Sequence, residues 1–138
     1  MDKIKERLTY SLLQMLDLDV TAVLKQFLEG ETSVLFLLFR TGKSFSPSEM
    51  VKELSISKGR VATLLNSLYE KEQIDIKICS DDRRSFNVSI TEKGMKVLSE
   101  KMMNADRYFD KLVLKLGEEK SNTLIEILNE TVRIMKEE

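Results

Sequence analysis

The hydrophobic pattern of residues 46–91 changes its period, and this change restricts the folds that the chain can adopt. From Ser46 to Gln73 the apolar residues recur at spacings of three and four, as they do on one face of an α-helix. From Ile74 onward they alternate with polar residues, as they do along a half-buried β-strand. The segment is therefore predicted to form helices first and a β-hairpin second.

Two helices are predicted before the hairpin, and each begins with a clear capping signal. Ser46 is expected to cap the first helix, with Pro47 at its first position and Glu49 completing a capping box. This helix is expected to end near Ser55, after which Ser57 caps the second helix. The second helix is predicted to bury Val61, Leu64, Leu65 and Leu68, and to leave Ser57, Lys58, Arg60, Ala62, Thr63 and Asn66 off that face.

The alternating runs after the second helix predict an antiparallel hairpin with one buried face. The inward residues are Ile74, Ile76 and Ile78 on one strand, and Phe86, Val88 and Ile90 on the other. The polar seven-residue loop between the strands carries Asp81, Asp82, Arg83 and Arg84. Two helices followed by such a hairpin indicate a winged helix-turn-helix, in which the second helix enters the DNA major groove.

The segment before this unit is also predicted to be helical. Residues 2–28 have the apolar spacing of one long amphipathic helix, which Gly30 is expected to end. The next segment, residues 32–40, is apolar from Val34 to Phe39, so periodicity alone allows a buried strand or a buried helix. We favour a helix that is capped by Thr32 or Ser33 and stopped by Gly42.

Long helices are predicted after the hairpin. Thr91 is expected to cap a third long helix, whose apolar gaps alternate between three and four. Gly117 is expected to break this helix, and a last helix follows. The fold class is therefore mainly α with a small β-hairpin wing, flanked by long N- and C-terminal helices.

Composition excludes several classes of protein. The 138 residues contain no histidine and one cysteine, so the commonest general base and metal ligand is missing. We therefore expect no enzyme, no cofactor and no metal site. No run of 18 apolar residues occurs, and the N-terminus lacks the apolar region of a signal peptide, so neither a membrane span nor secretion is expected. A single cysteine fits the reducing cytoplasm.

Charge distribution favours DNA locally but not globally. The formal net charge is −1, yet residues 40–60 hold five basic residues against two acidic ones. Lys58 and Arg60 lie in the first turn of the second helix, where an arginine can bond guanine and the methyl group of Thr63 can touch thymine. Taken alone, these residues also fit an ordinary helical hairpin with a solvated basic face.

The loop of the hairpin offers a second set of candidate residues. Arg83 and Arg84 can reach the minor groove, whose negative potential attracts arginine. Asp82 can hold Arg84 in place through a carboxylate–guanidinium pair. A solvated turn of mixed charge is the alternative.

Residues 56–94 resemble the MarR family of winged-helix transcription regulators. The resemblance is carried by a recognition helix that opens with a Ser-Lys pair, by Asp82-Arg83-Arg84 in the wing, and by the ending Val88-Ser89-Ile90-Thr91-Glu92-Lys93-Gly94. It implies that Ser57, Lys58, Arg60 and Thr63 read the major groove. It also implies that Arg84 enters the minor groove, with Asp82 as its orienting carboxylate.

The resemblance further implies an organisation for the whole chain. Residues 1–138 would form a single MarR-like domain with a DNA-binding lobe at 32–91 and dimerisation helices at 1–30 and 92–138. Such a protein is an obligate homodimer that binds an inverted-repeat operator on double-stranded DNA, and a small ligand or an oxidant often relieves that binding. The effector site is not indicated by the sequence.

The chain departs from the family pattern at the second helix and the wing. Glu72 stands where the family often has glycine, so the second helix is expected to end differently. Ile76 and Ile78 stand where basic residues or proline are common, which indicates weaker nonspecific DNA affinity. Cys79 lies on the wing strand rather than on the first helix, and we interpret it as an incidental surface thiol.

Two functions follow from these observations. The first is a homodimeric, sequence-specific transcription regulator, acting as a repressor. The second is a dimeric winged-helix protein-interaction module that does not bind DNA. Substitution of Arg60 and of Arg84 by alanine distinguishes them, because only the first function requires these cations.

Overall fold

The computed structural model describes residues 2–78 and 86–137 of the chain. The chain divides into two compact units, Met1–Met102 and Met103–Glu138. The elements are α1 (Lys3–Leu16), α2 (Val20–Lys25), α3 (Gly30–Thr41), α4 (Pro47–Leu54), α5 (Lys58–Glu70), β1 (Ile74–Ile78), β2 (Phe86–Ile90) and α6 (Glu92–Lys136). The predicted fold class, mainly helical with one antiparallel hairpin, is confirmed.

The N-terminal segment differs from the prediction, because the single helix expected over residues 2–28 is two helices. α1 ends at Leu16, and the backbone N–H of Asp17 donates to the carbonyl of Leu13 over 3.1 Å. The hydroxyl of Thr21 then donates to the carbonyl of Leu16 over 2.8 Å and so satisfies a group at the helix end. Aspartate is a weak helix former, and two aspartates flank the break, at positions 17 and 19. Because the apolar periodicity continues through the break, a prediction from periodicity alone does not detect it.

α3 forms the centre of the first unit. The choice of helix for this apolar segment is confirmed, as is its end at Gly42, which has φ +64° and donates its N–H to the carbonyl of Leu38. The predicted cap is wrong: α3 begins at Gly30, and both Thr32 and Ser33 are buried inside it. The hydroxyl of Ser33 donates to the carbonyl of Gly30 over 2.6 Å instead of capping the helix.

Gly30 has the left-handed backbone that was expected of it, with φ +69°. It stands at the first residue of α3, however, and α2 has already ended at Lys25. The glycine therefore turns the chain into the next helix rather than ending the first one.

α4 and α5 follow the sequence prediction closely. The hydroxyl of Ser46 accepts the N–H of Glu49, and the carboxylate of Glu49 accepts the N–H of Ser46, both over 3.2 Å. This is the expected capping box, with Pro47 at the first helical position. Ser57 caps α5 by accepting the N–H of Arg60 over 3.1 Å. The four apolar residues predicted to face inward from α5 are all buried.

The predicted antiparallel hairpin is confirmed, and it pairs Ile74 with Ile90, Ile76 with Val88 and Ile78 with Phe86. A third segment joins it at its base, which the sequence did not indicate. The N–H of Phe45 donates to the carbonyl of Val88 over 3.0 Å, and the N–H of Val88 donates to the carbonyl of Phe45 over 2.7 Å. The chain entering α4 is thus bonded to the wing.

The beginning of α6 packs against the end of α5. The hydroxyl of Thr91 accepts the N–H of Gly94 over 3.1 Å, which confirms the predicted cap. The same hydroxyl donates to the carbonyl of Glu72 over 2.7 Å, and the N–H of Thr91 donates to the carbonyl of Gln73 over 3.1 Å. The turn after α5 and the start of α6 are therefore joined by two hydrogen bonds.

The second unit consists of helix with one break. Gly117 has φ 83° and ψ 167°, a conformation that is essentially restricted to glycine, and the predicted break is confirmed. No described residue between 103 and 137 is buried. No helix in the described part of the chain has the length and apolarity needed to cross a membrane.

Candidate nucleic-acid interface

α5 has one face buried in the core and one face exposed, and the exposed face is the candidate site. Its apolar face lies in the core of the first unit, together with residues from α3, α4 and the hairpin. Its opposite face is exposed, including all four of the residues that were predicted to read the major groove: Ser57, Lys58, Arg60 and Thr63. These four lie at the cap or in the first six helical positions, the part of a recognition helix that contacts bases.

The two cations on this face are not neutralised by the protein. Among residues 2–78 and 86–137, neither Lys58 nor Arg60 forms an ion pair. The acidic residues of the preceding helix are Glu49 and Glu53, and the carboxylate of Glu49 is engaged at the start of its own helix. Positive charge that has no internal partner can bind phosphate and release counterions.

Of the two hydroxyls on this face, one accepts an internal hydrogen bond and the other donates one. Ser57 Oγ accepts an N–H from Arg60, so its own proton stays available to an external acceptor. Thr63 Oγ1 donates to the carbonyl of Gly59 over 3.0 Å, so its proton is already used. The sequence analysis predicted only that both residues read the major groove, because a residue pattern does not show side-chain hydrogen bonds of this kind.

The C-terminal end of α5 is held by its own turn. Glu72 has φ +61° and donates its N–H to the carbonyl of Tyr69, while Gln73 donates to the carbonyl of Leu68 over 2.9 Å. These are the two bonds of a Schellman motif, in which Glu72 takes the left-handed conformation that glycine favours. The replacement of glycine by glutamate at this position therefore does not prevent this helix end.

An ion pair joins the same end of α5 to α3. Lys71 Nζ lies 2.9 Å and 3.1 Å from the two carboxylate oxygens of Glu31. A hydrogen bond from the side chain of Ser67, and then the charge of Lys71, lower the pKa of Glu31 below its usual value of 4.5, although burial acts against them. These contacts fix the C-terminal end of α5, and no local pattern in the sequence indicates them.

The wing is described only at its base. Asp82, Arg83 and Arg84, as well as Cys79, lie outside the described residues. At the ends of the strands, Ile78 is 63% exposed and Phe86 is 38% exposed, whereas Ile74 and Val88 are buried. The buried face predicted for the hairpin therefore covers its base but does not extend to these two residues.

A groove of about 300 Å³ lies in the first unit beside α4. Its walls are mainly apolar, with one cation and one carboxylate: Phe27, Leu28, Ser33, Phe36, Leu37, Arg40, Glu53 and Leu54. The rings of Phe27 and Phe36 meet edge to face, with centroids 5.3 Å apart. Within the described residues, no group of His, Cys, Asp and Glu side chains could hold a metal ion.

Solved structures share this arrangement of helices and hairpin. The YusO protein of Bacillus subtilis aligns with a TM-score of 0.74 and 19% identity, over 96% of this chain and 99% of its own. A MarR-like transcriptional regulator from Thermotoga maritima aligns with a TM-score of 0.64 and 23% identity, over 100% and 99% of the two chains. A mutant of MepR from S. aureus, solved bound to an oligodeoxyribonucleotide, aligns with a TM-score of 0.63 and 19% identity, over 96% and 98%.

The likeness is visible at the level of structure rather than of sequence. No protein-family profile matches the chain, and no curated protein matches it. The structural alignments nevertheless extend over nearly the full length of both partners. The fold of those proteins is therefore the fold of this chain.

Proposed function

We propose that this chain, which has the winged helix-turn-helix fold of MarR-like transcriptional regulators, is a MarR-family regulator that binds double-stranded DNA in a sequence-specific way. The observation that carries the proposal is the exposed face of α5. It presents Lys58 and Arg60 without internal ion pairs in the described structure, on a helix whose other face is fixed in the core. A major groove accepts one helix presented in this manner.

The predicted residues other than Thr63 take the following parts in this proposal. Arg60 bonds guanine, Lys58 binds phosphate, and Ser57 donates its remaining proton to a phosphate oxygen. Arg84, with Asp82 as its orienting carboxylate and Arg83 beside it, enters the minor groove; this part rests on the sequence resemblance. The role of the protein is that of a repressor in the cytoplasm, without enzymatic activity.

We further propose that the protein acts as a homodimer on an inverted-repeat operator. α1 contains no buried residue, and its apolar side chains Ile4, Leu8, Leu12, Leu13, Met15 and Leu16 are exposed. The second unit likewise exposes apolar side chains along its helix, among them Leu124, Leu128, Val132 and Met135. Contiguous apolar surface on a single chain is typical of a face that a second copy covers.

Release of the DNA by a small ligand is part of the same proposal. The groove beside α4 supports it, because α4 is the helix that precedes the recognition helix. A small molecule with an apolar ring and one polar group would fit between the Phe27–Phe36 wall and Arg40. Displacement of α4 by such a ligand would move α5 as well, since the two helices share the core.

Fluorescence anisotropy of a labelled DNA fragment from the upstream region of the protein's own gene tests the central proposal. We expect preference over random DNA and an affinity that falls steeply with salt. Arg60→Ala should weaken specific binding by about tenfold or more, and Lys58→Ala should reduce the salt slope by about one. Arg84→Ala should also weaken binding.

Arg133→Ala is the matched control, because it removes the same charge from a residue that is already paired with Glu130. It should bind as the parent does. If the parent bound the fragment no better than random DNA at every salt concentration, the protein-interaction module would be the better account. The same titration, repeated with small aromatic acids and amines, tests release by a ligand.

A further inference from the structure

We infer that Thr63 selects a thymine in the operator through its methyl group, and that its hydroxyl takes no direct part as a donor. This inference rests on the proposed function, because it concerns the face of α5 that would lie in the major groove. It goes further because it assigns recognition to the methyl group alone and excludes the hydroxyl as a donor, which the sequence pattern left open.

The internal hydrogen bond of Thr63 is the first step. Thr63 Oγ1 donates to the carbonyl of Gly59, four residues earlier in the helix, over 3.0 Å. Such a bond selects a χ1 rotamer in which the oxygen is turned onto the helix backbone. The residue is nevertheless exposed, and because its oxygen is bonded to the backbone, we infer that the methyl group faces outward.

The consequence for base recognition follows from the groups that a base pair displays. Purine N7, guanine O6 and thymine O4 are acceptors in the major groove, and each requires a donor from the protein. Adenine N6 and cytosine N4 are donors, but the Thr63 oxygen that would accept from them is turned onto the helix backbone. Thr63 has already used its only donor. The C5 methyl of thymine is the apolar group that the major groove displays, so it is the natural partner of an outward methyl group.

The surroundings of Thr63 on the helix are consistent with close apolar contact. Ala62 is exposed beside it and adds a second methyl group. Gly59 lies one turn earlier, and a Cβ built there would have no atom within 4 Å. Its φ is not positive, so neither the backbone nor the packing of the protein requires glycine at this position. The helix surface next to Thr63 is therefore open to a group from outside.

Two isosteric changes separate the methyl group from the hydroxyl. Thr63→Val keeps a methyl and removes the hydroxyl, whereas Thr63→Ser keeps the hydroxyl and removes the methyl. A binding site is first selected from random duplexes with the parent protein. Each thymine of one half-site is then replaced in turn by deoxyuridine, which lacks the C5 methyl. Thermal unfolding of both variants shows that each is folded.

We expect one deoxyuridine position to weaken binding of the parent about fourfold, the effect of one buried methyl group. Thr63→Val should bind as the parent does and should keep this penalty. Thr63→Ser should lose about the same factor on the thymine site, and the deoxyuridine penalty should then disappear.

The opposite result overturns the inference. If Thr63→Ser bound as the parent does while Thr63→Val lost affinity, the hydroxyl would be the reading group. A deoxyuridine penalty that persisted in Thr63→Ser would assign the thymine methyl to another residue. Failure of the parent to select any site would instead reject the proposed function itself, so the two failures are distinguishable.

Discussion

Gly94 and Gly59 both lie in the first turn of a helix without a positive φ, and their surroundings are opposite. A Cβ on Gly94 would collide with the carbonyl oxygen of Gln73 and would lie 2.9 Å from Cγ1 of Ile90. A Cβ on Gly59 would meet nothing within 4 Å. The first glycine is required by the contact between α6 and the end of α5, and the second is not required by any contact within the described structure.

This difference predicts opposite effects of the same substitution. Gly94→Ala should lower the free energy of unfolding by about 3 kcal/mol, because a backbone carbonyl cannot move aside as a flexible side chain can. Gly59→Ala should cause no loss, and should raise the free energy of unfolding by up to about 0.5 kcal/mol. Urea denaturation of the two variants measures both effects. Equal effects at the two positions would contradict the packing described for Gly94.

At Glu72, substitution by glycine is expected to stabilise the fold rather than to destabilise it. A left-handed conformation costs a residue with a side chain about 1 kcal/mol, and glycine avoids this cost. Glu72→Gly should therefore raise the free energy of unfolding by about 0.5 kcal/mol, despite the loss of an exposed contact with Lys93 at 3.6 Å. Glu70→Gly, at the last residue of α5, is the control and should lower it. Thermal unfolding distinguishes the two outcomes.

At the scale of elements, the contact between Glu31 and Lys71 links the start of α3 to the end of α5. Because the folded protein lowers the pKa of Glu31, this carboxylate stabilises the fold fully above pH 4.5, its usual pKa, and loses that effect as the pH falls through the lower folded-state value. The contact is partly exposed, so its contribution should be about 1 kcal/mol or less.

Glu31→Gln is therefore expected to lower the free energy of unfolding at neutral pH. The difference from the parent should shrink as the pH is lowered below 4.5. Urea denaturation across a pH series measures it. Glu29→Gln is the control, since Glu29 contacts Lys25 only at 3.8 Å on the exposed surface. A difference between Glu31→Gln and the parent that stayed constant with pH would contradict the role of the charged contact.

The sequence predicted those elements whose signals are local. The capping box at Ser46, the cap at Ser57 and the alternation after Ile74 each lie within a few residues of the structure that they specify. The break after Leu16 was missed because the hydrophobic period runs through it, although the two aspartates around it were a usable signal. The bridge between Phe45 and Val88 was missed because its partners are distant in the chain.

The candidate site was predictable to a similar extent. The exposed face of α5 follows directly from the apolar period of its buried face, so the exposure of the four residues proposed to read DNA could be predicted. The bond from Thr63 to the carbonyl of Gly59 could not, because a threonine in a helix has two accessible rotamers. The ion pair between Glu31 and Lys71 could not be predicted either, because the two residues are far apart in the sequence.

At the scale of the whole molecule, the main feature is that a single chain exposes many large apolar side chains to water. Leu8 and Leu13 in the first unit are each more than half exposed, as are Ile125 and Val132 in the second. Exposure of many large apolar side chains is costly in water. Association of two copies would remove this cost and would also supply two recognition helices for the two halves of an inverted repeat.

Leu128→Glu tests this association, because it places a charge among exposed apolar side chains of the second unit. We expect it to yield a monomer in sedimentation velocity and to weaken operator binding by about 100-fold, as two linked binding events become one. Asn129→Glu introduces the same charge at the neighbouring exposed position and should remain dimeric. A Leu128→Glu variant that stayed dimeric would place the interface elsewhere.

The bridge between Phe45 and Val88 bears on how the protein would leave its operator. Phe45 immediately precedes the cap of α4, and it is bonded to β2 in both directions. Both side chains are also buried, so the base of the wing cannot swing away from α4 without breaking two hydrogen bonds and exposing apolar surface to water. Under the proposed function, the wing, α4 and the α5 helix that shares its core should therefore leave the DNA in one kinetic step, so that each half-site is either occupied or vacant.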